Sequence, residues 1–120
     1  MTENPALDRS EWRTVLDEIT ADHEGQRVTI EVLDPSAGHQ YEAERLPFAY
    51  LTYDVRDDVV IVAVGGDPPK YPVVLRHMVE HPEEVGLSTL DVPEAAVRVL
   101  AQDGTATLIT FFPVKSVTAA

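Results

Sequence analysis

The chain has 120 residues, 44% of them apolar and 25% charged, with no cysteine and a formal charge of −12. That length and balance fit one globular domain spanning residues 1–120, and the missing thiols exclude disulfides, thiolate metal sites and cysteine nucleophiles. Twenty-one acids against nine Lys and Arg repel phosphate backbones, so nucleic acid is excluded as a partner and basic proteins or cations are favoured.

Lys70 and Lys115 are the only lysines; the other cations are arginines. The acidity reads as solubility in an Arg-rich composition, with adaptation to a salty cytoplasm as the sharper alternative. The N-terminus has no basic start and no apolar core, so no signal peptide is expected. The longest apolar run, Val59 to Val64, is far too short for a bilayer span. The expected setting is cytoplasmic, without membrane contact.

Along the chain, residues 1–7 are expected to fray. Asp8 and Glu11 fit a capping box, and Trp12, Leu16 and Ile19 recur at helical spacing with Val15 beside them, which predicts a helix over about 9–23. Gly25 is its expected stop. The period then changes to two: Val28, Ile30 and Val32 alternate with polar residues as in a half-buried strand. Residues 34–38 form a turn by composition, and 40–45 a weaker strand with Tyr41 and Ala43 on one face. Leu46-Pro47 breaks or bends it before a strand from Phe48 to Val55. Arg56-Asp57-Asp58 turns the chain into Val59–Val64, a run apolar on both faces and therefore expected to be central.

Residues 65–69 read as a loop. Residues 73–79 fit either a strand or a helix, and the frequency of valine with Pro82 close behind favours the strand. A short edge strand is expected within 83–90. A last hairpin follows: Val97, Val99 and Ala101 alternate, Asp103-Gly104 turns, and Thr105 to Phe112 returns. Residues 113–120 are expected to form a loosely ordered tail. The connections at 34–38, 56–58 and 102–104 are too short for parallel crossovers. The fold class is therefore α+β: one N-terminal helix packed on a strongly twisted, mostly antiparallel sheet of six or seven strands, with an open barrel as its curled form. A helix followed by a bent sheet also resembles the Sm-like barrel, at the level of fold alone.

The helix around Glu11-Trp12, the turn at Gly25 into Val28–Val32, Leu51-Thr52-Tyr53-Asp54 before an acidic turn, His77-Met78-Val79 with Pro82, and the Asp103-Gly104 hairpin together resemble a family of short, uncharacterised bacterial and archaeal proteins, a domain of unknown function. The resemblance covers most of the chain. It implies a stand-alone domain and offers no catalytic residues to carry over.

No pattern specifies a chemistry. Gly65-Gly66 is followed by Asp67 and two prolines, unlike a phosphate-binding loop. Ser10, Ser36, Ser88 and Ser116 lie outside any nucleophile-elbow context. The carboxylate pairs Asp57-Asp58, Glu83-Glu84 and Glu42 with Glu44 read as solvated acids sharing one environment, whereas acid–base catalysis needs two different ones. His77-Met78-Val79-Glu80-His81 spells the inverted zincin signature. That signature works on a helix; a strand would separate His77 from His81 by about 13 Å and turn Glu80 to the other face. No metal and no cofactor is therefore expected, and no catalytic residue is assigned.

Phe111 and Phe112 alternate faces on the last strand, so one of them is a candidate interface residue, with a weakly held homodimer as the expected association. Three functional readings remain. The favoured one is a non-enzymatic binding or protein-interaction module. The alternatives are a metal-binding protein or metal-dependent hydrolase using His77, Glu80 and His81, and a small-molecule carrier with its pocket between helix and sheet.

Overall fold

A computed structural model describes residues 6–65, 73, 75–88 and 96–113. A 3-10 turn over Arg9–Glu11 leads into helix α1, Trp12–Asp22. Among the described residues seven strands follow: β1 Arg27–Asp34, β2 Gly38–Asp54, β3 Val59–Val64, β4 Leu75–Glu80, β5 Pro82–Ser88, β6 Ala96–Ala101 and β7 Ala106–Phe112. They form one sheet in the order β4-β3-β2-β1-β7-β6-β5, and every paired neighbour is antiparallel. The α+β class, the strand preferred for 73–79 and the edge strand after Pro82 are all present.

Residues 65–69 and the tail lie mostly outside the described residues, as do residues 1–5 of the segment expected to fray. Ala6 and Leu7 are tied down: Ala6 bridges Gly86, and the Leu7 N–H donates to the Val85 carbonyl at 2.8 Å.

Several expectations about local structure change. The capping box does not form, because Asp8 makes no side-chain bond to the helix start; its carbonyl instead accepts the Glu11 N–H at 2.9 Å and starts a 3-10 turn. The strands expected at 40–45 and 48–55 are one 17-residue strand, bent rather than broken. Its first half pairs with β1 and its second half with β3. Extra residues in β2 shift the register between Val28 and Ile30 and again between Ile30 and Glu31. These bulges set Ala43 opposite buried Ile30 and Tyr41 opposite Glu31, so Tyr41 and Ala43 do not share a face.

The same device recurs after β4. A single residue, His81, separates β4 from β5, and the two do not pair with each other; β4 pairs with β3 and β5 with β6. The sheet curls strongly, yet its ladder is not closed.

The core lies on the concave face. Val28 and Ile30 of β1 meet Phe111 and Ile109 of β7, and Val60, Val62, Leu51 and Val97 continue the layer, all at most 2% exposed. Helix α1 closes this face with Trp12 and Leu16, the two residues its apolar stripe buries. Trp12 meets Tyr53 edge-on at 5.1 Å. Where β2 leaves β1, its freed edge needs new partners, because buried backbone groups must be hydrogen-bonded. Thr20 supplies them: its hydroxyl donates to the Leu51 carbonyl at 2.7 Å and accepts the Leu51 N–H at 2.9 Å. β3 is almost wholly buried on both faces, as its sequence requires, but it lies next to the edge strand β4 rather than at the sheet centre.

Candidate functional site

Among the described residues, three non-glycine residues have left-handed backbones: Arg45 at φ +52°, Asp58 at φ +53° and His81 at φ +52°. Side chains there cost roughly 1–2 kcal/mol, so each needs compensation or a reason. They define two places of interest.

Asp58 and His81 meet at the corner between β4 and β5. The His81 N–H donates to the Asp58 carbonyl at 3.0 Å, and the His81 carbonyl accepts the Gln102 N–H at 2.9 Å. The Tyr53 hydroxyl donates to Asp58 Oδ1 at 2.6 Å, Arg9 Nη1 lies 3.2 Å from both of those oxygens, and His81 Nδ1 is 3.3 Å from Asp58 Oδ2. The second Arg9 nitrogen donates to the Pro82 carbonyl at 2.9 Å, and the guanidinium stacks 4.3 Å over Trp12. The Tyr53 bond, aided by His81 and Arg9, holds the Asp58 carboxyl below its ordinary pKa against a smaller opposing desolvation. Desolvation first, then the Asp58 bond, pushes the Tyr53 phenol up. Asp57 and Asp58 therefore do not share an environment: Asp57 is exposed, and Asp58 anchors a network. Its polar groups satisfy one another, which makes it a lock joining the N-terminal turn to the corner.

Arg45 sits on the convex face at the β2 bulge. Its N–H donates to the hydroxyl of buried Thr29 at 3.0 Å, and its carbonyl accepts Arg27 Nη1 at 3.2 Å. The bulge aims its guanidinium over Phe112, 4.0 Å from the ring centroid. Thr29, Glu31, Tyr41, Glu44, Arg45, Thr110 and Phe112 line a groove of about 570 Å³ around it. Tyr41 is 54% exposed. Among the described residues no carboxylate pairs with Arg45. Glu44 lines this groove, whereas Glu42 acts on His77, so that pair of acids also parts.

The two phenylalanines separate as their alternation predicts. Phe111 is 1% exposed, stacked on His23 at 4.2 Å and edge-on to Phe48 at 4.9 Å. It belongs to the core and is withdrawn as an interface candidate; Phe112 faces the convex side. The last strand is also no edge, since β7 pairs with both β1 and β6.

The zincin-like stretch is strand and corner, not helix. His77 points inward, half-buried, with Nε2 3.3 Å from the Thr107 hydroxyl, and burial lowers its pKa. Glu80 is exposed, and His81 turns to Asp58. Among the described residues no group of three His, Asp or Glu could hold a metal ion. Among the described residues, Trp12, Leu16 and Phe111 belong to the buried core where a carrier's pocket is expected. Among the described residues no helix is long and apolar enough to cross a membrane.

The sequence signal for both places was thin. Arg9 lies 44 residues from Tyr53 and 49 from Asp58 along the chain, with no shared motif. Arg45 could have been found only through the Leu46-Pro47 bend beside it.

One helix on a bent antiparallel sheet, with a locked corner and an open convex groove, defines a small α+β domain. The chain belongs to the family described as "Family of unknown function (DUF5335)", whose model matches residues 3–119. It is also similar to an uncharacterized protein of Aquifex aeolicus (strain VF5), 25% identical over 108 residues, covering 90% of this chain and 91% of that one. No solved structure matches it.

Proposed function

We propose that the chain is a non-enzymatic protein-interaction module of the cytoplasm, and that its binding face is the convex groove around Arg45. The observation that carries this is the bulge: a strained backbone aims an arginine without a carboxylate partner among the described residues over an aromatic ring. Bulges are common where a side chain is re-aimed for function. The lining also has the chemistry of an interface centre, where Tyr, Phe and Arg are enriched because they bring large contact area with few rotors. A polypeptide segment could stack on Tyr41 and Phe112 while giving an acceptor to the guanidinium.

Site-specific photo-crosslinking in the source cells tests this. A photoreactive residue at position 41 should capture a discrete protein partner, and Arg45→Ala should reduce that capture at least tenfold. The same residue at Glu18, exposed on α1, should capture nothing discrete. Equal capture from both positions would refute the reading. A retained small molecule in native mass spectrometry, lost in the Arg45→Ala variant, would replace the protein partner with a small ligand.

A further inference from the structure

The seven-stranded sheet has two edges, and they are not alike. β5 is partly covered, because Ala6 bridges Gly86 and Leu7 bonds the Val85 carbonyl. β4 pairs with β3 on one side, and among the described residues no strand pairs with its other side. The β6–β7 hairpin approaches β4 near His77 and His81 without forming a ladder with it, and an edge without a strand partner is a template for another strand unless it is blunted.

The outward face of β4 carries a self-complementary pattern. Arg76, Met78 and Glu80 alternate along the strand and are all exposed, Met78 at 52%. An antiparallel copy centred on Met78 would set Met78 against Met78, and each Arg76 opposite the Glu80 of the other copy. A two-fold axis requires such self-pairing. Opposite-charge cross-strand pairs stabilise this register, and a slip of two residues would forfeit them. In the single chain Arg76 Nε donates to the Tyr50 hydroxyl at 2.9 Å across Ala63 of β3, an exposed bond that pairing with a partner's Glu80 would replace.

We propose that a second copy of this chain pairs with the free edge of β4, forming a two-fold dimer through antiparallel β4–β4 addition centred on Met78. This interface is separate from the Arg45 groove, so either can fail without the other. Its electrostatics oppose each other at two scales. Two chains of −12 repel at long range, while the Arg76–Glu80 pairs attract at contact.

Charge reversal tests the register. Sedimentation equilibrium is run at protein concentrations on the order of 100 μM, where contacts of micromolar affinity populate the dimer. The wild type should sediment as a dimer. Arg76→Glu alone and Glu80→Arg alone should each weaken association at least tenfold. An equimolar mixture of the two variants should recover a dimer, because every cross-strand pair is again of opposite sign. Both residues are exposed, and unchanged far-UV circular dichroism and melting would show that the variants fold. A monomeric wild type, or variants that dimerise as well as the wild type, would overturn the proposal. So would loss of the dimer on Phe112→Ser with both β4 variants unaffected, which would place self-association on the convex face.

Discussion

Arg45 and His81 use one backbone device for opposite ends. Each is a non-glycine residue near φ +52° where a strand leaves one partner for another. At His81 the backbone is bonded on both sides and the side chain faces Asp58, which Tyr53 and Arg9 also hold. At Arg45 the backbone is bonded too, but the guanidinium rests on Phe112 at the rim of an open groove. The difference teaches how to read strain. A left-handed residue whose backbone and side chain both turn to groups of its own chain marks a lock, and one whose side chain reaches an open groove marks a place where something else can bind.

The largest expected effect would break the lock's counterpart at the β2 bend. Thr20→Val keeps the shape but removes both bonds to Leu51, stranding a buried N–H and carbonyl. The expected loss is about 1–3 kcal/mol, read from urea unfolding. If stability is unchanged, the bend does not depend on the helix.

Asp58→Ala comes next, at about 1–2 kcal/mol. Most of that is the Tyr53 bond, because the Arg9 and His81 pairs are exposed and screened. Arg45→Ala should fall within about 0.5 kcal/mol, as for surface substitutions, while impairing partner capture. Equal destabilisation at the two positions would erase the distinction between lock and site.

Acid distinguishes the corner from the interior. Asp58 has a depressed folded pKa, so its contribution is present above its unfolded value of about 3.8 and is lost as pH falls through the lower folded one. Asp58→Asn should flatten the stability profile below pH 3.8. His77 is also depressed, but as a cationic acid: the unfolded chain takes up its proton first as pH falls through about 6.5, so stability declines from there to the folded pKa. His77→Gln should remove that slope and leave the lower one intact. Glu42 acts in the opposite direction by favouring the charged imidazole, so Glu42→Gln should steepen the decline.

The fold was legible where one element made its own pattern. The 3.6-residue stripe of Trp12 and Leu16 and the alternation of Val28 with Ile30 each required a particular face to be buried, and those faces are buried. Bends were less legible. Leu46-Pro47 announced one, but nothing in the sequence counts the extra residues that separate Tyr41 from Ala43. The corner network was illegible for a different reason: Arg9, Asp58 and His81 meet only after the sheet curls. Phe111 and Phe112 were read correctly as opposite faces, and only the order of strands revealed which neighbour covers each.

Strand order also has a consequence for how the chain comes together. Residues 27–80 form one meander, β1 to β4, and residues 82–112 form another, β5 to β7. Each can assemble through short connections or neighbouring strands, but they join through β1 and β7, where Arg27 meets Phe112. Pairing over that separation carries the largest loop-closure cost in the sheet, so the β1–β7 ladder is expected to form late in folding. Until it happens, β1 and β7 are both open edges with apolar faces. Two chains at that stage could exchange halves about His81, each completing the other, which makes the assembly concentration during refolding the condition that decides between one molecule and an intertwined pair.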